Sequence, residues 1–359
     1  MFSLTACGNS SIPTPSKPDP GTAIPENGGG SAAYTLGLVC SNFADTHLTN
    51  VRKIISELCD LEGIVLLTYD SNRDSGAERD GFNNYITQKV DVVAGNVING
   101  QAVDEIVYLF RDAGIPIIIF NSSTPSNEAL VECEHAYFVN SAAEESGKIQ
   151  GWEAAKYWNE NQKQADRNRN GKFDYVILRG APGIYETFAR TEWCVRAAVE
   201  EDVPMNEIIW EGSESSEQTA QEMMFSILAS HKKDIEVVFA DNDEMAIGAI
   251  DALKTEGFLT GEPSDYIPVY GVGATRIGIE ALKTGDMAAT SLNDPVAMGY
   301  GIMSIVLCLR DGKEVHTENF NAAFPRMPEF GMEVGPRKRV WTHYRAVTAE
   351  NCDDIYIGI

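Results

Sequence analysis

Asp166, Asn168, Asn170 and Asp174 place oxygen-bearing side chains at positions 1, 3, 5 and 9 of one short run, with Gly171 at position 6. That spacing matches the opening of an EF-hand calcium loop. Alternate side chains of a tight loop point inward, and Ca²⁺ gathers roughly six to eight hard oxygens. Lys172, at position 7, would supply its main-chain carbonyl. Position 12, where a bidentate Glu is usual, is Ile177, and the stretch 173–178 is apolar and β-branched. It reads as a buried strand, not as an exiting helix. A metal here needs a carboxylate from elsewhere in the chain. The alternative is an Asx-rich turn between helix and strand.

A second set of polar residues stands at the ends of apolar runs. Asp45 follows one, Asn121 follows Phe120, Asn242 and Asp243 follow Ala240, and Asn293 and Asp294 follow Leu292. Each could serve as a helix cap. Together they predict a cleft lined with amides and carboxylates, suited to a ligand whose hydroxyls both donate and accept. Asp45 and Glu186 could also form a glycosidase pair, but no activated nucleophile accompanies them.

Those residues need a scaffold in which strand ends converge. Strands are expected at 35–40, 63–69, 90–93, 115–120, 137–139, 175–178, 207–210, 235–240, 268–272 and 288–292. Helices are expected at 45–58, 104–113, 143–160, 187–200, 217–230, 243–256, 276–283 and 296–310. Continuous apolar strands alternating with amphipathic helices predict α/β architecture with parallel sheets covered on both faces. The units are too many for one sheet, so two doubly wound domains are expected, with ligands at the carboxyl ends of the strands.

The chain has 359 residues and a net charge of −25, from 53 Asp plus Glu against 28 Lys plus Arg. Such acidity argues against nucleic acid as a partner, because phosphate neutralisation needs a basic face. Cys40, Cys59, Cys133, Cys194 and Cys308 sit among apolar neighbours and are expected as free buried thiols. Leu4-Thr5-Ala6-Cys7 looks like a lipobox in which Cys7 is lipidated, although 1–6 is shorter than a whole signal peptide. The Ser-, Pro- and Gly-rich stretch that follows predicts a tether, so 1–33 is expected to be lipobox and disordered linker. No apolar run is long enough to span a bilayer.

From about Tyr34 onward the sequence resembles the periplasmic galactose/glucose-binding proteins of ABC sugar transport and chemotaxis, a type I periplasmic binding protein fold. The residues carrying the likeness are Val51-Arg52-Lys53, Pro116 to Asn121, Glu145 to Gly151, Ile235 to Val238, Asn242-Asp243 and Leu292-Asn293-Asp294, together with the metal loop. The resemblance implies that Glu236 is the missing calcium ligand. It also implies that Asp45, Asn121, Arg190, Asn242 and Asn293 are sugar-binding residues of unchanged type, and that Glu186 replaces an Asp. His47 stands where the family has a Phe ring, Ile184 where it has His, and Gly273 where it has a second Asp. The family's stacking Trp, near Ser216 or Glu217, is absent, and Tyr185 is the nearest replacement ring.

The likeness predicts an N-terminal lobe of 34–140 plus 296–341 and a C-terminal lobe of 141–295 plus 342–359. Three crossings near Asn140-Ser141, Pro295 and Trp341-Thr342 would form the hinge. The expected protein is a monomeric, lipid-anchored extracytoplasmic receptor. It would close over a monosaccharide or polyol and deliver it to an ABC permease, or present it to a chemoreceptor or sensor kinase. Calcium would be its structural cofactor.

Overall fold

The computed structural model describes residues 33–180, 185–212 and 216–355, leaving aside the side chains of Tyr185, Trp210 and Glu211. Cys7 and the expected tether lie outside the described residues, except for Ala33. Strand and helix alternate from the start: β1 (Thr35–Cys40), α1 (Thr46–Glu62), β2 (Val65–Asp70), α2 (Ser75–Gln88), β3 (Val92–Gly95), α3 (Val103–Ala113), β4 (Ile117–Phe120), α4 (Asn127–Glu132) and β5 (Ala136–Ser141). The chain then continues through α5 (Ala143–Ala165), β6 (Phe173–Arg179), α6 (Tyr185–Glu200), β7 (Met205–Gly212), α7 (Glu217–His231), β8 (Val237–Ala240), α8 (Asp243–Thr255), β9 (Val269–Tyr270), α9 (Arg276–Thr284) and β10 (Thr290–Asn293). It finishes with α10 (Pro295–Arg310), α11 (Thr317–Ala322), α12 (Met327–Phe330), β11 (Val334–Gly335), β12 (Arg339–Thr342) and β13 (Tyr344–Val347).

The first sheet runs β11-β12-β5-β4-β3-β1-β2 and is parallel apart from the β11–β12 pair. The second runs β7-β6-β8-β9, all parallel, while β10 pairs antiparallel with β13. Both sheets are covered on both faces, as continuous apolar strands require. Leu36, Leu38, Ile118 and Phe120 pack into one core with residues of α1 and α10, while Val39, Ile117 and Ile119 face another with Phe82 and Phe110. In the second sheet, Val176, Leu178 and Val238 join α7 and α8, whereas Tyr175, Ile177 and Phe239 join Ala154, Trp158 and Cys194. A fully buried Ile or Phe side chain contributes roughly 1.5–3 kcal/mol, so these layers hold the strand ends in place.

Several boundaries differ from the sequence expectation. Helix α2 was not expected, because its apolar content is low and Gly76 and Gly81 interrupt it. Asp74 caps it, and Gly81 lies so close to Tyr69 that a Cβ would meet the ring at 2.6 Å. Helix α5 runs five residues past the expected end at 160, with non-helical dihedrals at Asn161. The closing strands β12 and β13 were also not foreseen. β12 completes the first sheet beside β5, and β13 pairs with β10, so tertiary pairing decides them. All six described cysteines are free and buried, and burial pushes the Cys40, Cys59 and Cys194 thiols up to about 12. Among the described residues, no helix is long and apolar enough to cross a membrane.

Candidate functional site

In each sheet the strand order reverses direction beside the first strand, between β1 and β3 in one and between β6 and β8 in the other. Loops leaving the carboxyl ends of strands at such a reversal diverge and open a crevice. A cavity of about 600 Å³ lies there, lined by Asp45, His47 and Asn121 from the first sheet's loops and by Glu186, Arg190, Asn242 and Asn293 from the second set. Seven of the eight residues expected to bind ligand therefore share one space. The side chain of Tyr185, like Ile184, falls outside the described residues.

The caps are real but leave valence over. Asp45 caps α1, Oδ1 accepting from the Leu48 amide at 2.8 Å, and Asn242 caps α8, Oδ1 accepting from the Met245 amide at 2.8 Å. Oδ2 of Asp45 and Nδ2 of Asn242 are left for a ligand. Asn121 holds a left-handed backbone with φ of 42°, a conformation Asn tolerates better than most residues. The buried Asn96 amide fixes that loop by donating to the Phe120 and Asn121 carbonyls and accepting from Ser41. Nε2 of His47 is buried without a partner. Burial pushes its pKa down, against the pull of the Asp45 and Asp294 carboxylates, so the ring is neutral at pH 7.

Arg190 has Asp241 as its close charged partner. Arg190 Nη1 donates to the Asp241 carbonyl at 3.0 Å and lies 3.6 Å from Oδ2. Burial works against the Arg190 charge, yet Tyr344 and Asp241 outweigh it, and Glu186 contributes less. Asp241 is 7% exposed and also receives the Thr187 hydroxyl at 3.3 Å. The sequence signal for it was its place at the end of β8, directly before Asn242. Asp243, read beside Asn242 as a strand-end polar group, instead turns into the core, accepting from Thr275 and Thr290. The backbone of Arg190 is set by close helix packing. A Cβ at Gly147 would lie 2.7 Å from the Arg190 carbonyl, and one at Gly151 2.3 Å from the Cys194 carbonyl, so only glycines let α5 approach α6 this closely.

Gly273 lines the same cavity with φ of 135°, and a Cβ there would stand 3.3 Å from Asp243 Oδ2. A carboxylate at 273 would meet backbone strain and a like charge together.

The 166–174 loop is tied together by hydrogen bonds among its own polar groups. Asn168 and Asn170 both turn to Asp174 Oδ2, and Gly171 donates to Asp166 Oδ2 at 3.1 Å. Glu236 reaches in from the segment before β8, its oxygens accepting from the Asn168 amide at 3.1 Å and the Asp174 amide at 3.0 Å. Its burial raises its pKa, against those amides. Oδ1 of Asp166 is buried with no partner, and none of Asp166, Asp174 and Glu236 forms an ion pair among the described residues. The orphaned Asp166 oxygen is a buried acceptor that a hard cation would satisfy. No group of three or more His, Cys, Asp or Glu is poised as a metal cluster among the described residues. The amide oxygens of Asn168 and Asn170 accept from the main-chain N–H groups of Asn170 and Lys172 at 3.0 and 2.7 Å.

The sequence profile of the periplasmic binding protein domain matches residues 36–314. The D-galactose/methyl-galactoside binding periplasmic protein of Haemophilus influenzae is 29% identical over 292 residues, covering 80% of this chain and 86% of its own. The ribose import binding protein of Bacillus subtilis is 25% identical over 299 residues, covering 83% and 86%. Among solved structures, an ABC transporter solute binding protein from Bacillus halodurans with bound myo-inositol superposes with a TM-score of 0.69 at 26% identity, covering 91% of this chain and 98% of that one.

Proposed function

The chain belongs to the periplasmic binding protein domain family, and from that premise we propose that its cleft captures a cyclic polyol, either a monosaccharide or a cyclitol, by closure of two lobes. It is an extracytoplasmic sugar-binding protein of ABC transporter type, not an enzyme. The observation that carries the ligand class is the cavity lining: two guanidiniums, three carboxylates and four amides around about 600 Å³. Each hydroxyl of a polyol finds a donor and an acceptor there.

Gly273 argues for the choice within that class. The family's carboxylate at this edge is absent, and Asp243 disfavours restoring it. We therefore expect weak binding of glucose and galactose and tighter binding of a ring that presents no hydroxyl pair to that edge. His47 supplies one flat face, and Tyr185 is proposed as the other. A thermal-shift screen over hexoses, pentoses and inositols tests this. A stabilising ring polyol other than glucose and galactose is expected; failure of every ring polyol would refute the proposal.

The loop is proposed to hold one structural Ca²⁺ through Asp166, Asn168, Asn170, Asp174, Glu236 and the Lys172 carbonyl. Cys7 is proposed as a lipid anchor, with delivery of the ligand to an ABC permease or to a chemoreceptor. Diacylglycerol on Cys7, read by mass spectrometry of the membrane fraction, is the expected result. A mature chain that retains Met1 would exclude it.

A further inference from the structure

A second cavity, of about 490 Å³, opens at the opposite end of the second sheet, where α5, α7 and α8 finish and β6 and β8 begin. Its lining includes Lys163, Arg167, Arg169, Lys232 and Lys233, with Asp166 as the carboxylate among them. In a chain of net charge −25 with 28 basic residues, five of them on one groove is a concentration that needs a cause. Lys232 is paired with Glu256 at 2.8 Å; the other four form no ion pair among the described residues. The Arg167 guanidinium is held 4.9 Å from the centre of the Phe258 ring, and Lys232 Nζ lies 5.7 Å from the same ring. Nη1 of Arg167 is buried without an acceptor.

Part of this charge answers the three helix C-termini, each equivalent to about half a negative charge. Four cations without an ion pair exceed that. Glu236 and Asp265 act on Arg167 only through space, since neither forms an ion pair with it. A buried guanidinium N–H without an acceptor is costly unless an anion satisfies it.

We propose that this groove binds a phosphate-class oxyanion. Guanidinium forks and mobile ammonium groups suit a tetrahedral anion with several acceptor oxygens. A sugar is disfavoured because Phe258 is 6% exposed and offers no open ring face. The volume leaves room for a phosphate carried on a larger body, so the same chemistry has two sources, free phosphate or the headgroup of an anionic lipid. The groove lies at the far ends of the strands from the ligand cleft, and the proposal does not depend on what that cleft binds.

The test titrates the full chain calorimetrically with inorganic phosphate against chloride at equal ionic strength and fixed low calcium. In parallel, a Cys7→Ser chain is sedimented with phosphatidylglycerol or phosphatidylcholine vesicles. The Lys163→Ala/Lys233→Ala pair is compared with a Lys53→Ala/Lys156→Ala control of equal charge change. Saturable phosphate binding, about tenfold weaker in the groove pair and unchanged in the control, is expected. Phosphatidylglycerol-selective capture lost in the same pair assigns the headgroup as the source, and phosphate binding without capture assigns the free anion. Arg190→Ala should leave both readouts unchanged. Absence of both binding and capture, or a loss shared equally by the control pair, would overturn the proposal.

Discussion

Ser141 Oγ donates to Asn293 Oδ1 across 2.7 Å, and the Thr342 hydroxyl lies within hydrogen-bonding reach of Ser141 Oγ. Ser141 and Thr342 end β5 and β12 of the first sheet, and Asn293 ends β10 of the β10–β13 pair. Asn293 also lines the cleft. A ligand that engages Asn293 Nδ2 therefore pulls on a hydrogen-bonded group made from three strand ends. Ser141→Ala removes the donor that orients Asn293. At about 0.5–1.5 kcal/mol for such a bond, ligand affinity should fall roughly two- to tenfold, measured by calorimetry. Unchanged affinity would mean that Asn293 is oriented by something else.

The metal loop predicts a calcium-dependent melting temperature. Binding to the native state alone stabilises by about 2.7 kcal/mol at a hundredfold excess over the dissociation constant. Chelator should lower the midpoint, and Glu236→Gln should remove most of that response. A midpoint indifferent to chelator would leave the loop as an Asx-rich turn.

His47 predicts an acid-sensitive term in stability. Burial holds its folded pKa below the ordinary 6.5, so the unfolded chain binds the proton more tightly. Stability from this group is complete above pH 6.5 and is lost as pH falls below it, toward the lowered folded value. Asp243 acts with the opposite sign: its pKa is raised by burial from 3.8 to about 6, so its contribution is lost as pH rises through that range. The difference between wild type and His47→Phe isolates the first term. Midpoints recorded from pH 8 to 5 should diverge below 6.5; parallel curves would show a solvated imidazole.

How much of this was legible in the sequence depended on whether a residue's role was local. The loop spacing from Asp166 to Asp174 and the polar strand ends are short-range patterns, and the structure brings both sets together. Helix α2 was hidden because Gly81 serves a contact with Tyr69 that no local periodicity records. The Asp241 partner of Arg190 was not foreseen, because it arrives from the end of β8, 51 residues away in sequence. Strands β12 and β13 exist only because β5 and β10 offer them edges. Long-range pairing of this kind leaves no mark in a single sequence.

The central claim is that the cleft between the two sheets binds a polyol through Arg190. Calorimetry with the best ligand of the polyol screen, on wild type and on Arg190→Ala of matched melting temperature, tests it most directly. One saturable site per chain is expected in wild type, with binding abolished in the variant, since the guanidinium loses its charge-assisted bonds. Full retention of binding by Arg190→Ala would contradict the account and move the site elsewhere.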